Sequence, residues 1–315
     1  MFKWQLPLLA VMWLAFFPLT THAQIVLVAD VTRPYNAAFV ERLRALLPES
    51  TLQTFEFYQA QRRLFKGATP RPLLTIALGA PALREALAGQ LALPTTPILS
   101  LLTAREQYEA IVSTVAKGES SAAAPVSALF GDPDPAVQLQ LIQATFRRPV
   151  TVGVWATAEN VAHIARLRAL AATLDITLVI ELLALDGERV MVSEVARATS
   201  ARVDVDAWLA WPNAVIFTAS NLKTMLLVTY ARSQPVFGFT ATMVTAGATA
   251  SAWVPAPMLA SEVAEIYRAV AGGADVASLP GARYPKHFDV VVNESVLRSL
   301  SLPVAQTLKQ LRRAP

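Results

Sequence analysis

The sequence predicts an α/β protein of two lobes, each built on a parallel sheet, joined by a hinge that the chain crosses more than once. Short, continuously apolar runs alternate with amphipathic helical stretches, as parallel strands covered on both faces require. This alternation runs through two separate series, so two lobes are expected. Further strand and helix signals follow the second series, which forces the chain to return across the junction.

The first stretch stands apart from the fold. Lys3 supplies a positive end, "LPLLAVMWLAFFPL" is an apolar run too short and Pro-punctuated for a comfortable membrane span, and Thr21 and Ala23 place small residues before Gln24. Residues 1–23 therefore read as a secretory signal peptide, with Gln24 as the mature start. After Gln24 no apolar run approaches the ~20 residues of a spanning helix, so the mature protein is not expected to cross a membrane.

The first series opens with "IVLVAD" (Ile25–Asp30) and the helical "YNAAFVERLRALLP", whose apolar residues recur at three- and four-residue spacing. "LLTIALGAP" leads into "ALREALAGQLA", and "TPILSLLT" follows. A break rich in Gly, Ser and Ala precedes "VSALFGD", which reads as a strand crossing between lobes. Asp132 or Asp134 can cap the next helix, "PAVQLQLIQATF", with Pro133 or Pro135 in its first turn. The second series runs through "VTVGVWA", "AHIARLRALAATLD", "ITLVIELLAL", "DAWLAWPN" and "PVFGFTA". "GATASAWVP", the helix "SEVAEIYRAVAGG" and "FDVVVNESVLRSL" come last. The expected division is 24–126 with about 256–286 in the first lobe, and 127–255 with about 287–315 in the second.

Composition excludes much chemistry. The chain has no cysteine, so disulfides, thiolate metal sites and cysteine nucleophiles are absent, and 54% hydrophobic residues must supply the stability. The net charge of +4 is dispersed; "FRRP" and the terminal "LKQLRRAP" read as helix ends, so nucleic-acid binding has no support. Beyond residue 23 the histidines are His163 and His287, and no spacing joins them to a carboxylate as metal ligands. His163 lies in a helix, where a solvated or helix-packing role is expected. No GxSxG, P-loop or GxGxxG occurs. Neither an enzyme nor a cofactor or metal is expected.

In open parallel sheets, ligands bind beyond the carboxyl ends of the strands. The loops there carry Trp155, Trp211 and Trp253, expected as stacking platforms, although an isolated Trp is more often core. Asp132, Thr157, Asn213 and Thr240 are expected as polar contacts, with Thr32 and Thr103 from the first lobe. Arg33 or Arg105 can meet a carboxylate.

The blocks "LLTIALGAPALREAL", "GDPDPAVQLQLIQATFRRPVTVGVWATAENVAHIARL", "DAWLAWPNAVIFTASN", "PVFGFTATMVTAGATASA", "AVAGGADVASLPG" and "FDVVVNESVLRSLSL" resemble, in order and spacing, the periplasmic substrate-binding proteins of ABC transporters in the TrpX-like group. The resemblance implies two Rossmann-like lobes of the type I periplasmic-binding architecture, a small-molecule solute, an inner-membrane ABC permease as partner, and a periplasmic location. Three departures stand out: Ala80 where the family has threonine, Thr103-Ala104-Arg105 where it has Thr-Asp-Pro, and Ala252-Trp253-Val254-Pro255 where it has Tyr-Gly-x-Asp. They remove polar anchors and add an indole, which favours an apolar or aromatic solute. The alternative is an envelope interaction or sensory module with a degenerate cleft.

Overall fold

The computed structural model describes residues 24–55, 72–89, 96–116, 125–273, 279 and 281–303. The expected signal segment and the basic run from Leu308 lie outside the described residues. Among the described residues no helix is long and apolar enough to cross a membrane.

The first lobe alternates β1 (Gln24–Val28), α1 (Pro34–Leu46), β2 (Thr51–Phe55), β3 (Leu74–Leu78), α2 (Ala80–Gly89), β4 (Ile98–Leu101), α3 (Arg105–Ala116) and β5 (Val126–Leu129). Its strands pair in parallel in the order β2-β1-β3-β4-β5. Every residue of β1, β3 and β4 is buried, which is why these strands read as unbroken apolar runs. Strand β2, "TLQTF", is interrupted by Thr51, Gln53 and Thr54 and carries no such signal. Pro34 starts α1 where its missing N–H costs nothing.

The second lobe comprises α4 (Pro135–Phe146), β6 (Val150–Ala156), α5 (Val161–Ala171) and β7 (Ile176–Leu182), then a small hairpin of β8 (Leu185–Asp186) and β9 (Arg189–Val190). It continues with α6 (Val192–Ala201), β10 (Ala207–Leu209), α7 (Ala219–Tyr230), β11 (Val236–Phe237), α8 (Ala241–Thr245) and β12 (Ala250–Trp253). After α9 (Ala256–Ala271) come β13 (Asp289–Val292) and α10 (Glu294–Ser299). The sheet order is β13-β12-β11-β10-β6-β7, parallel except for β13, which runs antiparallel to β12. Asp134, not Asp132, caps α4 by accepting the Ala136 N–H at 2.9 Å.

Helix α9 belongs by packing to the first lobe. Leu259, Val263 and Tyr267 share one buried cluster with Ile25, Phe39 and Leu43, so α9 and α1 cover one face of the first sheet. Leu83, Leu87, Tyr108 and Ile111 of α2 and α3 cover the other face. The chain therefore crosses after β5, between β12 and α9, and again before β13.

The second lobe is organised around indoles. Trp155 and Trp208 stack at 4.2 Å between centroids and 13° between planes, both fully buried. The Trp208 ring lies across Gly153 of the neighbouring strand, where a Cβ would stand 2.7 Å from it. Gly153→Ala is therefore expected to destabilise the protein by about 1–3 kcal/mol through overpacking. Thermal unfolding would record a midpoint lower by roughly 2–4 °C for each kcal/mol.

Candidate functional site

Three crossing segments run side by side between the lobes. In the first, Phe130 to Asp134, the Phe130 N–H donates to Arg283 O at 2.9 Å and the Gly131 N–H donates to Thr103 O at 2.9 Å. The third segment answers with the Arg283 N–H on Ala128 O at 3.0 Å. The buried Glu262 of α9 ion-pairs with Arg283 and accepts the Lys286 N–H. The second segment, Val254–Pro255, receives the Tyr35 hydroxyl on Val254 O at 2.7 Å.

A cavity of about 260 Å3 rests on these crossings. Tyr35, Leu102 and Leu259 of the first lobe face Phe239, Thr240 and Trp253 of the second across it, with Phe130, Pro133 and Pro285 from the crossings. At ~30 Å3 per water, that is room for roughly nine waters or one small ring system. No charged side chain lines it among the described residues. Beside it lies a recess of about 10 Å3, walled by Asp132, Gln138, His163 and Trp211 and sharing Pro133 and Phe239 with the larger cavity.

Charges cluster next to the recess and bridge the lobes. Asp132, 6% exposed, accepts the Arg105 N–H at 2.9 Å and so satisfies the first turn of α3. His163, 5% exposed, stacks on Trp211 at 3.9 Å and reaches Glu106 of the other lobe through Nδ1 at 3.4 Å. Arg166 contacts Glu106 and Glu109 across the same gap, each at 3.4 Å. Burial pushes the Asp132 carboxyl up to about 6, against the pull of the Arg105 N–H and the guanidiniums of Arg105 and Arg166. Burial, helped by those same two guanidiniums, pushes the His163 imidazole down to about 4.

No family model and no curated protein matches the chain. Solved structures do. A substrate-binding protein with adhesive properties from Clostridium difficile, in its ligand-free open structure, superposes with a TM-score of 0.70 at 17% identity, over 90% of this chain and 96% of that one. An ABC domain from Streptococcus pneumonia in complex with L-Trp gives 0.56 at 16% identity, over 92% and 99%. A conserved domain protein from Vibrio cholerae gives 0.57 at 20%, over 92% and 98%. The chain has the two-lobe periplasmic-binding fold. The expected fold class is thereby met.

Within this fold the expected site residues divide. Thr240 and Trp253 meet in the larger cavity, and Asp132 and Trp211 meet in the recess. Trp155 does not reach either; its ring is core and its N–H donates to Thr199 Oγ1 at 3.0 Å. Trp208 pairs with Gly153 and Leu209 with Val154, so Trp155 stands level with Ala210 and Trp211 falls one residue further on. One step along a strand reverses the face, so the two indoles are not equivalent. The Trp211 N–H donates to Trp155 O at 2.8 Å, leaving its ring for His163.

The remaining expected contacts serve local structure. Thr103 is buried and accepts from Ser100, and Thr157 binds Asn160 through both its N–H and its hydroxyl. Asn213 accepts the N–H groups of Val215 and Ile216 in its own turn. Thr32 and Arg33 are exposed and bonded to Asp30. Ala80 starts α2 away from both cavities, and Arg105 is engaged with Glu109 at 2.7 Å. Tyr35, Phe130, Phe239 and His163 were not expected. Phe130 follows directly on β5 and Phe239 comes two residues after β11, so the rule of strand carboxyl ends contained the signal; His163 and Tyr35 gave none.

The two buried titrating groups set opposite pH dependences. Asp132, raised, contributes stability that is full below its unfolded value near 3.8 and is lost as pH rises through about 6. His163, lowered, contributes stability present above its unfolded value near 6.5 and lost as pH falls toward about 4. Between these limits the two slopes oppose. Asp132→Asn keeps an acceptor for the Arg105 N–H but cannot ionise. It is expected to be more stable than the parent by on the order of 2–3 kcal/mol at pH 7.5, with the gain vanishing near pH 4. Denaturant titrations across that range check both the size and the sign.

Proposed function

We propose that this chain is the periplasmic solute-binding component of an ABC-type uptake system, related to the TrpX-like aromatic binders and exported by its first 23 residues. It closes its two lobes over a small apolar or aromatic solute and hands that solute to an inner-membrane permease. The observation that carries this reading is the cavity of about 260 Å3 at the crossings, with Tyr35, Phe130, Phe239 and Trp253 on its walls. Aromatic rings supply large, rigid apolar contact. Walls drawn from both lobes let a bound solute stabilise the closed arrangement by its differential affinity for it. A cavity of this kind also favours solute binding over a degenerate cleft. Binding, with no chemical step, is the proposed activity.

Native mass spectrometry of the chain from Gln24, purified gently from a periplasmic extract, is expected to show a bound small molecule. Solution scattering is expected to contract on adding that molecule. A profile that stays unchanged across a broad panel of aromatic and apolar solutes, with a clean apo mass, would refute the reading. Trp253→Ala is expected to weaken binding of the captured solute at least about tenfold, from the lost ring contact, which calorimetry would measure.

A further inference from the structure

The recess beside the larger cavity has a one-sided chemistry. Its walls carry four polar side chains: Asp132, Gln138, His163 and the indole of Trp211. Two of these side chains are tied into the protein. Gln138 donates to Gly238 O and accepts the Ala252 N–H, and the Trp211 N–H is held by Trp155 O. The two that remain are acceptors. His163 Nδ1 faces the Glu106 carboxylate at 3.4 Å, a contact that favours the ring proton on Nδ1 and so leaves Nε2 as the acceptor. Nε2 is buried and has no hydrogen-bond partner among the described residues. Asp132 uses Oδ1 on the Arg105 N–H, but a carboxylate offers about four lone-pair sites, and its charge is buried.

Two acceptor-bearing residues on the walls of a space of about 10 Å3 match one water-sized group bearing at least two donor hydrogens. A primary ammonium is such a group, and it also answers the carboxylate's charge through a charge-assisted hydrogen bond. The recess and the cavity share Pro133 and Phe239 and so adjoin, and a ring in the cavity with a short arm would span both. No cationic side chain lines either space among the described residues. The guanidiniums of Arg105 and Arg166, which act on both Asp132 and His163, are engaged by Glu109 and Glu106. A solute's own carboxylate would therefore be desolvated there beside Asp132, with no free cation among the described wall residues to meet it, at heavy cost.

We propose that the space between Asp132 and His163 is an ammonium subsite, and that the solute is an aromatic amine without a carboxylate. This rests on the solute-binding reading above. It adds to that reading a polar head group and the two residues that select it.

Calorimetry at pH 7.5 with three probes tests it: indole, tryptamine and L-tryptophan, which share one ring system. Tryptamine is expected to bind at least about tenfold more tightly than either indole or L-tryptophan, the scale of one charged hydrogen bond made in a dry site. In Asp132→Asn, verified as folded by its thermal midpoint, the ratio of tryptamine to indole affinity is expected to collapse toward one. His163→Phe, which keeps a ring on Trp211 but removes Nε2, is expected to lower the same ratio. Equal affinities for indole and tryptamine in the parent protein would overturn the ammonium subsite and leave a recess that holds only water, while solute binding itself stands. Tighter binding of L-tryptophan than tryptamine would overturn it as well. Failure of all three probes, together with a clean apo mass, would overturn the subsite and the solute-binding reading together.

Discussion

The arrangement of the cleft depends on one close approach of backbone to backbone. Gly131, in the first crossing, lies against Leu102 at the end of β4, where a Cβ would stand 2.5 Å from the Leu102 carbonyl carbon. Leu102 itself adopts a left-handed conformation, φ 57°. Only glycine allows the crossing to sit this near. The approach brings the Gly131 N–H to Thr103 O and Asp132 to the Arg105 N–H, so the crossing is tied to the start of α3. Phe130 and Pro133, on either side, are thereby turned into the cavity, and Asp132 into the recess. The floor of the cleft, its polar subsite and the first helix turn beside it all follow from one missing side chain.

Behind that floor, the second lobe supports the cavity through a chain of rings. Trp208 stacks on Trp155, Trp155 meets Phe217 edge to face at 6.0 Å, and Phe217 meets Phe239 the same way at 5.7 Å. Phe239 is the shared wall of cavity and recess. Such pairs add rigidity beyond the area they bury. The two buried indoles thus act on the site indirectly, by holding in place a ring that a solute would touch. Trp211 does the same for His163, whose ring it stacks against while Nδ1 reaches Glu106.

Polar groups near the cleft follow the rule that burial demands partners. Thr103, Thr157, Asn213 and Gln138 all hydrogen-bond within the protein. His163 Nε2 departs from the rule, and the buried carboxyl of Asp132, raised by desolvation, stands next to it. Sites that recognise ligands are where such departures collect. Across the same gap, Arg166 and His163 of the second lobe face Glu106 and Glu109 of the first, so the lobes meet through charge at the recess and through apolar walls at the cavity.

The sequence by itself determined the layered α/β architecture of the two lobes. Strands buried on both faces must be continuously apolar, as "IVLV" and "LLTIAL" are, and helices covering them must repeat at three and four residues. It also placed Thr240, Trp253, Asp132 and Trp211 at the carboxyl ends of strands, where the fold gathers its loops. Strand β2 escaped because Thr51, Gln53 and Thr54 break both the continuous and the alternating apolar pattern, and β13 was not distinguishable as antiparallel because direction leaves no mark on a four-residue run. Which of the strand-end residues face the cleft was decided by register alone. A shift of one residue between β6 and β10 sends Trp155 to the core and Trp211 to the recess, although both stand near the carboxyl ends of apolar strands. The contact of His163 with Glu106 of the other lobe likewise exists only once the crossing segments bring the lobes together. Local sequence carries side-chain chemistry and periodicity; the partner each group meets is set by contacts between distant segments, which no local pattern encodes.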